Sequence, residues 1–162
     1  PGILISVDSG ARKVGVATWH WVDDPTNALL IEASTISAPT DDKMVLEYLG
    51  YRDTWSEAFL GRTYTVVEIP QKYRSARLYH RDLDRLSRFA DLTGPWALQV
   101  YPREWKGGVG STHTTKEPHH KRIRAALCST EPPVTDLGPD AMDAIGIGLY
   151  ALGRVGKGGI KP

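Results

Sequence analysis

Four acids are spaced through the chain so that they could act together: Asp8 in ISVDSG, Glu68 in VVEIP, and Asp140 with Asp143 in PDAMDA. Their oxygens are the ligands that hard divalent ions such as Mg2+ require. Two such ions about 4 Å apart, one carboxylate bridging them, activate a water on one side of a phosphodiester and stabilise the leaving oxygen on the other. The protein's share in that chemistry is positioning and charge more than a covalent step. Each acid also has an ordinary explanation. Asp8 could start a turn, Glu68 could face solvent at a strand end, and Asp140 or Asp143 alone suits the positive end of a helix. The elements that carry them decide between the two.

Residues 3–19 read as a hairpin: an apolar strand to Val7, a turn at Ser9-Gly10, and a second strand begun by Val14, Val16 and Ala17. Asp8 then ends a core strand, where it must be solvated in a cleft, paired, or bound to a cation, because a bare buried carboxylate is unfavourable. A polar turn is expected over 19–27, around Asp23-Asp24-Pro25, and then a third strand over 29–37 that completes an antiparallel meander. Thr40 or Asp41 suits an N-cap for a helix carrying Met44, Val45, Leu49, Trp55, Ala58 and Phe59, with a break expected at Gly50. Residues 64–69, stopped by Pro70, predict a strand in the middle of the sheet with Glu68 at its end. If it lies parallel to the first strand, Glu68 and Asp8 emerge at one sheet edge, where open α/β proteins bind ligands.

The clearest amphipathic pattern covers 74–92, with Tyr79, Leu83, Leu86 and Ala90 on one stripe and Arg74, Arg77, Arg81, Arg85 and Arg88 opposite. Asp82 and Asp84 relieve the repulsion among these arginines only partly, so the face suits phosphates better than stability. A short strand is expected over 95–101 and an exposed loop, rich in glycine and hydroxyls, over 103–115. Residues 116–127 read as a basic helix with His119, His120, Lys121, Arg122 and Arg124. Adjacent histidines do not share a helix face, so His119 and His120 do not read as a zinc pair. The last helix starts near Leu137 with Pro139 in its first turn. Met142, Ile145, Leu149 and Leu152 form its buried stripe, while Asp140 and Asp143, three apart, share a face near its start.

The net charge of +1 conceals an asymmetry: residues 72–124 hold twelve of the 20 Lys/Arg and only five of the 19 Asp/Glu. A basic middle flanked by acidic segments suits a polyanion partner and a carboxylate cleft. The length of 162 residues accommodates one domain, expected over 1–154 with a flexible tail over 155–162. No apolar run is long enough for a membrane span. Cys128, the only cysteine, reads as a packed helix residue, and the absence of a secretion pattern favours the cytoplasm.

Through Asp8-Ser9-Gly10 with Gly15, Glu68 ending its strand, and Asp140-Ala141-Met142-Asp143-Ala144, the chain resembles the RuvC-like Holliday junction resolvases of the RNase H-like superfamily, over nearly its whole length. The resemblance implies an α/β, RNase H-like fold: a five-stranded mixed sheet, three antiparallel strands then parallel ones, flanked by helices on both faces. It further implies a homodimer that nicks a four-way DNA junction with two Mg2+ ions per active site, Mn2+ being able to substitute. On it Asp8 would bridge both ions, Glu68 would bind one, and Asp140 and Asp143 would complete the site. Lys106 and Lys116 become candidates for scissile-phosphate contacts, Lys116 within the catalytic set. The expected DNA contacts are Arg12, Lys72, Tyr73, Arg74, Arg77, Arg81, Arg103, Lys106, Lys116 and Lys121, and the helix over 74–92 is where a dimer contact would lie. The chain departs from the family's bacterial members in having Ser9 where they usually have proline, and Gln71 where they carry a phenylalanine wedge. Tyr73 is the nearest aromatic that could stack or wedge, and the departures suggest a divergent, phage branch. An RNase H-type enzyme acting on RNA–DNA hybrids, a YqgF-like protein and a non-catalytic branched-DNA-binding module share parts of the pattern.

Overall fold

Apolar residues at alternate positions build the centre of the sheet, because successive side chains of a strand point to opposite faces. The computed structural model describes residues 1–9, 13–59, 61–69, 76–93, 98–109, 116–127 and 137–154. Strand β1 (Gly2–Ser9) pairs antiparallel with β2 (Lys13–Trp21), which pairs antiparallel with β3 (Leu29–Ser37). On its other side β1 pairs in parallel with β4 (Arg62–Glu68), and β4 pairs in parallel with β5 (Leu98–Val100). The order is β3-β2-β1-β4-β5. This is the α/β mixed sheet that the resemblance implies.

Helices cover both faces. Ile3, Ile5, Val7, Val14, Val16 and Val67 face α1 (Asp41–Ala58) and α2 (Ala76–Thr93), packing with Met44, Val45, Tyr48 and Leu86. The residues between them, including Leu4, Ala17, Trp19 and Val66, face α5 (Pro139–Ala151). Two shorter helices, α3 (Pro102–Val109) and α4 (Lys116–Ala126), add Trp105 and Ile123 to that second core. Each fully buried large side chain stabilises the fold by about 1.5–3 kcal/mol before chain entropy is counted. Buried Ser6 fastens α5 to β1: its hydroxyl donates to the Ala144 carbonyl at 2.6 Å and accepts from Trp19 Nε1 at 3.2 Å.

Several local expectations change. Strand β2 continues through Trp19 to Trp21 instead of yielding to a turn at Trp19, because Trp19 and Trp21 enter the α5-side core. Helix α1, capped by Thr40, whose side chain accepts from Lys43 N at 3.2 Å, does not break at Gly50. There Thr54 Oγ1 donates to the Gly50 carbonyl at 2.9 Å, within a continuous helix. The expected loop over 103–115 is helical in its first part. Pro102 opens α3, the Glu104 carboxylate accepts from Tyr101 N at 3.1 Å, and burial of Trp105 outweighs the low helix propensity of Gly107 and Gly108. Within the expected strand 95–101, β5 occupies Leu98–Val100; residues 94–97, the Ser9-Gly10 turn beyond Ser9, Cys128 and the tail lie outside the described residues.

Candidate active site

Alternation carries Leu4 and Ser6 to the α5 face, and Asp8 follows on that face. On β4, Val66 faces α5 and Glu68 follows it. Extending the parallel register one residue beyond the Val7–Val67 pair sets Asp8 beside Glu68. The third strand of the arrangement supplies space. Gly15 pairs with Asp8 across the β1–β2 ladder, and a Cβ at Gly15 would overlap the backbone carbonyl of Asp140. Glycine opposite Asp8 therefore lets the first turn of α5 lie against β2. Asp140 sits in that turn, half-buried, and Asp143 follows almost one turn later, only 6% exposed.

Asp8 is itself 8% exposed. Burial pushes its carboxyl well above the usual carboxylate range, and the negative charges of Glu68, Asp143 and Asp140, in that order, push it further. Lys106 on α3 acts in the opposite direction. Glu68, Asp143 and Asp140 thus each act by charge on Asp8. Two of them have defined partners: Trp105 Nε1 donates to Glu68 Oε2, and His120 Nε2 lies 2.8 Å from Asp143 Oδ1. Lys106 Nζ stands 5.3 Å from the centre of the Trp105 ring.

The remaining expected contacts are more scattered. Arg77 and Arg81 are exposed on α2, which covers the sheet face opposite to α5, and Lys121 is exposed on α4. Arg103 lies on α3, and Lys116 begins α4. Arg12, Gln71, Lys72, Tyr73 and Arg74 lie outside the described residues. Sequence reasoning missed Trp105 and His120. His120 falls on a stripe with Ile123 and Leu127, spacing that signals an inward face. Trp105 stands between Glu104 and Lys106-Gly107-Gly108, with no apolar period to reveal its burial.

An all-oxygen set around a carboxylate destabilised by like charge fits a hard divalent cation, which would relieve that repulsion. Among the described residues, no three acids or histidines are grouped closely enough to hold an ion as they stand.

Sheet order, strand directions and the packing of α5 define the RuvC type of RNase H-like fold. Thermus thermophilus RuvC shares it. Its structure in complex with a Holliday junction substrate matches with a TM-score of 0.62 and 19% sequence identity, over 95% of this chain and 98% of that one. A further Thermus thermophilus RuvC structure gives 0.61 and 18% over the same shares. Fowlpox virus resolvase, in a complex with Holliday junction DNA, matches with a TM-score of 0.54 and 12% identity, over 93% of this chain and 97% of that one. No protein-family model and no curated protein sequence matches the chain.

Proposed function

We propose that this protein is a divalent-metal-dependent endonuclease that resolves four-way DNA junctions by paired nicks. The observation that carries the reading is that Glu68, next to Asp8 in the strand register, and Asp143 and Asp140 on α5 all act by their charge on the buried carboxyl of Asp8. The fold supports it, since the chain shares its architecture over 95% of its length with RuvC in a junction complex. Asp8, Glu68, Asp140 and Asp143 would hold two Mg2+ ions, with Mn2+ able to substitute. When bound, such ions supply an activated water and stabilise the leaving oxygen.

The chain's own residues then have separate tasks. Asp8 and Glu68 would hold the ions from the strand side, and Asp140 and Asp143 from the helix side. Lys106, whose charge acts on Asp8, would meet the scissile phosphate, and Lys116, the first residue of α4, is the second candidate for that contact. Exposed Arg77, Arg81 and Lys121 would track the backbone of the junction arms, a role that needs charge and no base reading. Two copies related by a two-fold axis would cut the two-fold junction symmetrically.

Cleavage of labelled four-way junction, linear duplex and RNA–DNA hybrid, each with Mg2+, Mn2+ or EDTA, tests the reading. Metal-dependent paired nicks confined to the junction are expected. Cleavage of the hybrid would reassign the protein to RNase H-type chemistry, and junction binding without cleavage under either metal would leave an architectural DNA-binding module.

A further inference from the structure

The geometry points to Trp105 and His120 as positioning residues that fix Glu68 and Asp143 from outside the acid cluster, one from α3 and one from α4. The inference rests on the four acids being the cation site proposed above. Both partners are buried, Trp105 fully and His120 with 8% exposure. A hydrogen bond to a carboxylate in such surroundings is stronger and more directional than one in water. A buried indole N–H ordinarily finds some acceptor. Here the acceptors of both helices' inward polar groups are two of the acids whose charge acts on Asp8.

The two helices are also seated together. A Cβ on Gly146 would come within 2.5 Å of the Trp105 ring and 2.9 Å of Ile123 Cδ1, so this notch in α5 receives α3 and α4 side by side. Gly146 lies three residues after Asp143, on the same side of α5. The position of Trp105 and that of His120 are thereby referred to the helix that carries Asp143. Glu68 and Asp143 both repel Asp8, and without outside partners each would be driven to turn away from it. Trp105 and His120 oppose that turning and keep both carboxylates presented to a cation. Loss of such an outer partner typically weakens metal binding about 10–100-fold.

The test is Mn2+ binding to the protein without DNA, followed by the electron paramagnetic resonance of free Mn2+, for wild type, Asp8→Asn, Trp105→Phe, His120→Gln and His120→Leu. Trp105→Phe keeps a ring in the Gly146 notch and removes the N–H. Wild type is expected to bind Mn2+ and Asp8→Asn to lose most of that binding. Trp105→Phe and His120→Leu should bind about 10–100-fold more weakly while melting in EDTA close to wild type. His120→Gln, which keeps a donor, should recover much of the affinity. Equal affinity in wild type, Trp105→Phe and His120→Leu, with binding still dependent on Asp8, would overturn the positioning role and leave the proposed function standing. Equal weakening by His120→Gln and His120→Leu would assign His120 to packing and overturn its part, and it decides that question even if Trp105→Phe fails to fold. Absence of any Asp8-dependent Mn2+ binding in wild type would overturn both readings.

Discussion

Asp8 is a carboxyl group held where its charged form is unfavourable, and its behaviour should show it. The folded chain retains this proton at pH values where the unfolded chain has released it. Stability therefore falls as pH rises from the ordinary value of 3.8 through the raised one. Asp8→Asn cannot ionise, so in EDTA its melting temperature should match wild type in acid and exceed it increasingly towards neutral pH. Each kcal/mol relieved appears as about 2–4 °C for a chain of this size, and added Mg2+ should narrow the gap by stabilising only the wild type. Thermal melts that show the variant less stable than wild type at neutral pH would contradict the account. The four acids were legible because their places depend on the ends of strongly periodic elements. The contacts of Trp105 and His120 were not: spacing marks His120 as inward-facing, but which side chain it meets across the fold leaves no trace in the chain, and Trp105 has no apolar period at all.

At the scale of elements, two glycines in helices make opposite predictions. Gly50 in α1 has nothing within 4 Å of where a Cβ would stand. Gly50→Ala should therefore stabilise the protein by about 0.5–1 kcal/mol through helix propensity alone. Gly146→Ala gains the same propensity but drives a methyl into Trp105 and Ile123, and overpacking costs about 1–3 kcal/mol. It should lower stability in urea titrations and weaken nicking by shifting Trp105. A Gly146→Ala protein as stable as Gly50→Ala would show that α3 and α4 are not seated in the notch. Strand β3 and helix α5 could be read from sequence because alternation and a proline at the first helical turn mark them locally. Helix α3 could not, because its glycines argue for a loop, while the burial of Trp105 and the Glu104 contact at its start favour the helix.

At the scale of the whole molecule, the acids gather on the α5 side of the sheet, while exposed Arg77 and Arg81 stand on α2 across it. A junction would have to reach both regions, so its affinity should depend on many phosphate contacts. Binding measured from about 50 to 200 mM salt should then fall steeply, by a logarithmic slope of about −0.9 per phosphate neutralised. A flat dependence would contradict the role given to the basic segment. Paired nicking also requires two active sites, and sedimentation at micromolar concentration should find a dimer; a strict monomer would remove the symmetric mechanism.

Asp8 and the acids whose charge acts on it are assigned to the chemistry and not to the binding. This assignment is tested most directly by measuring junction binding and junction nicking on the same preparations of wild type and Asp8→Asn in Mg2+. The account predicts that Asp8→Asn binds the junction with near wild-type affinity and makes no nicks. An Asp8→Asn protein that nicks the junction at the wild-type rate would contradict it.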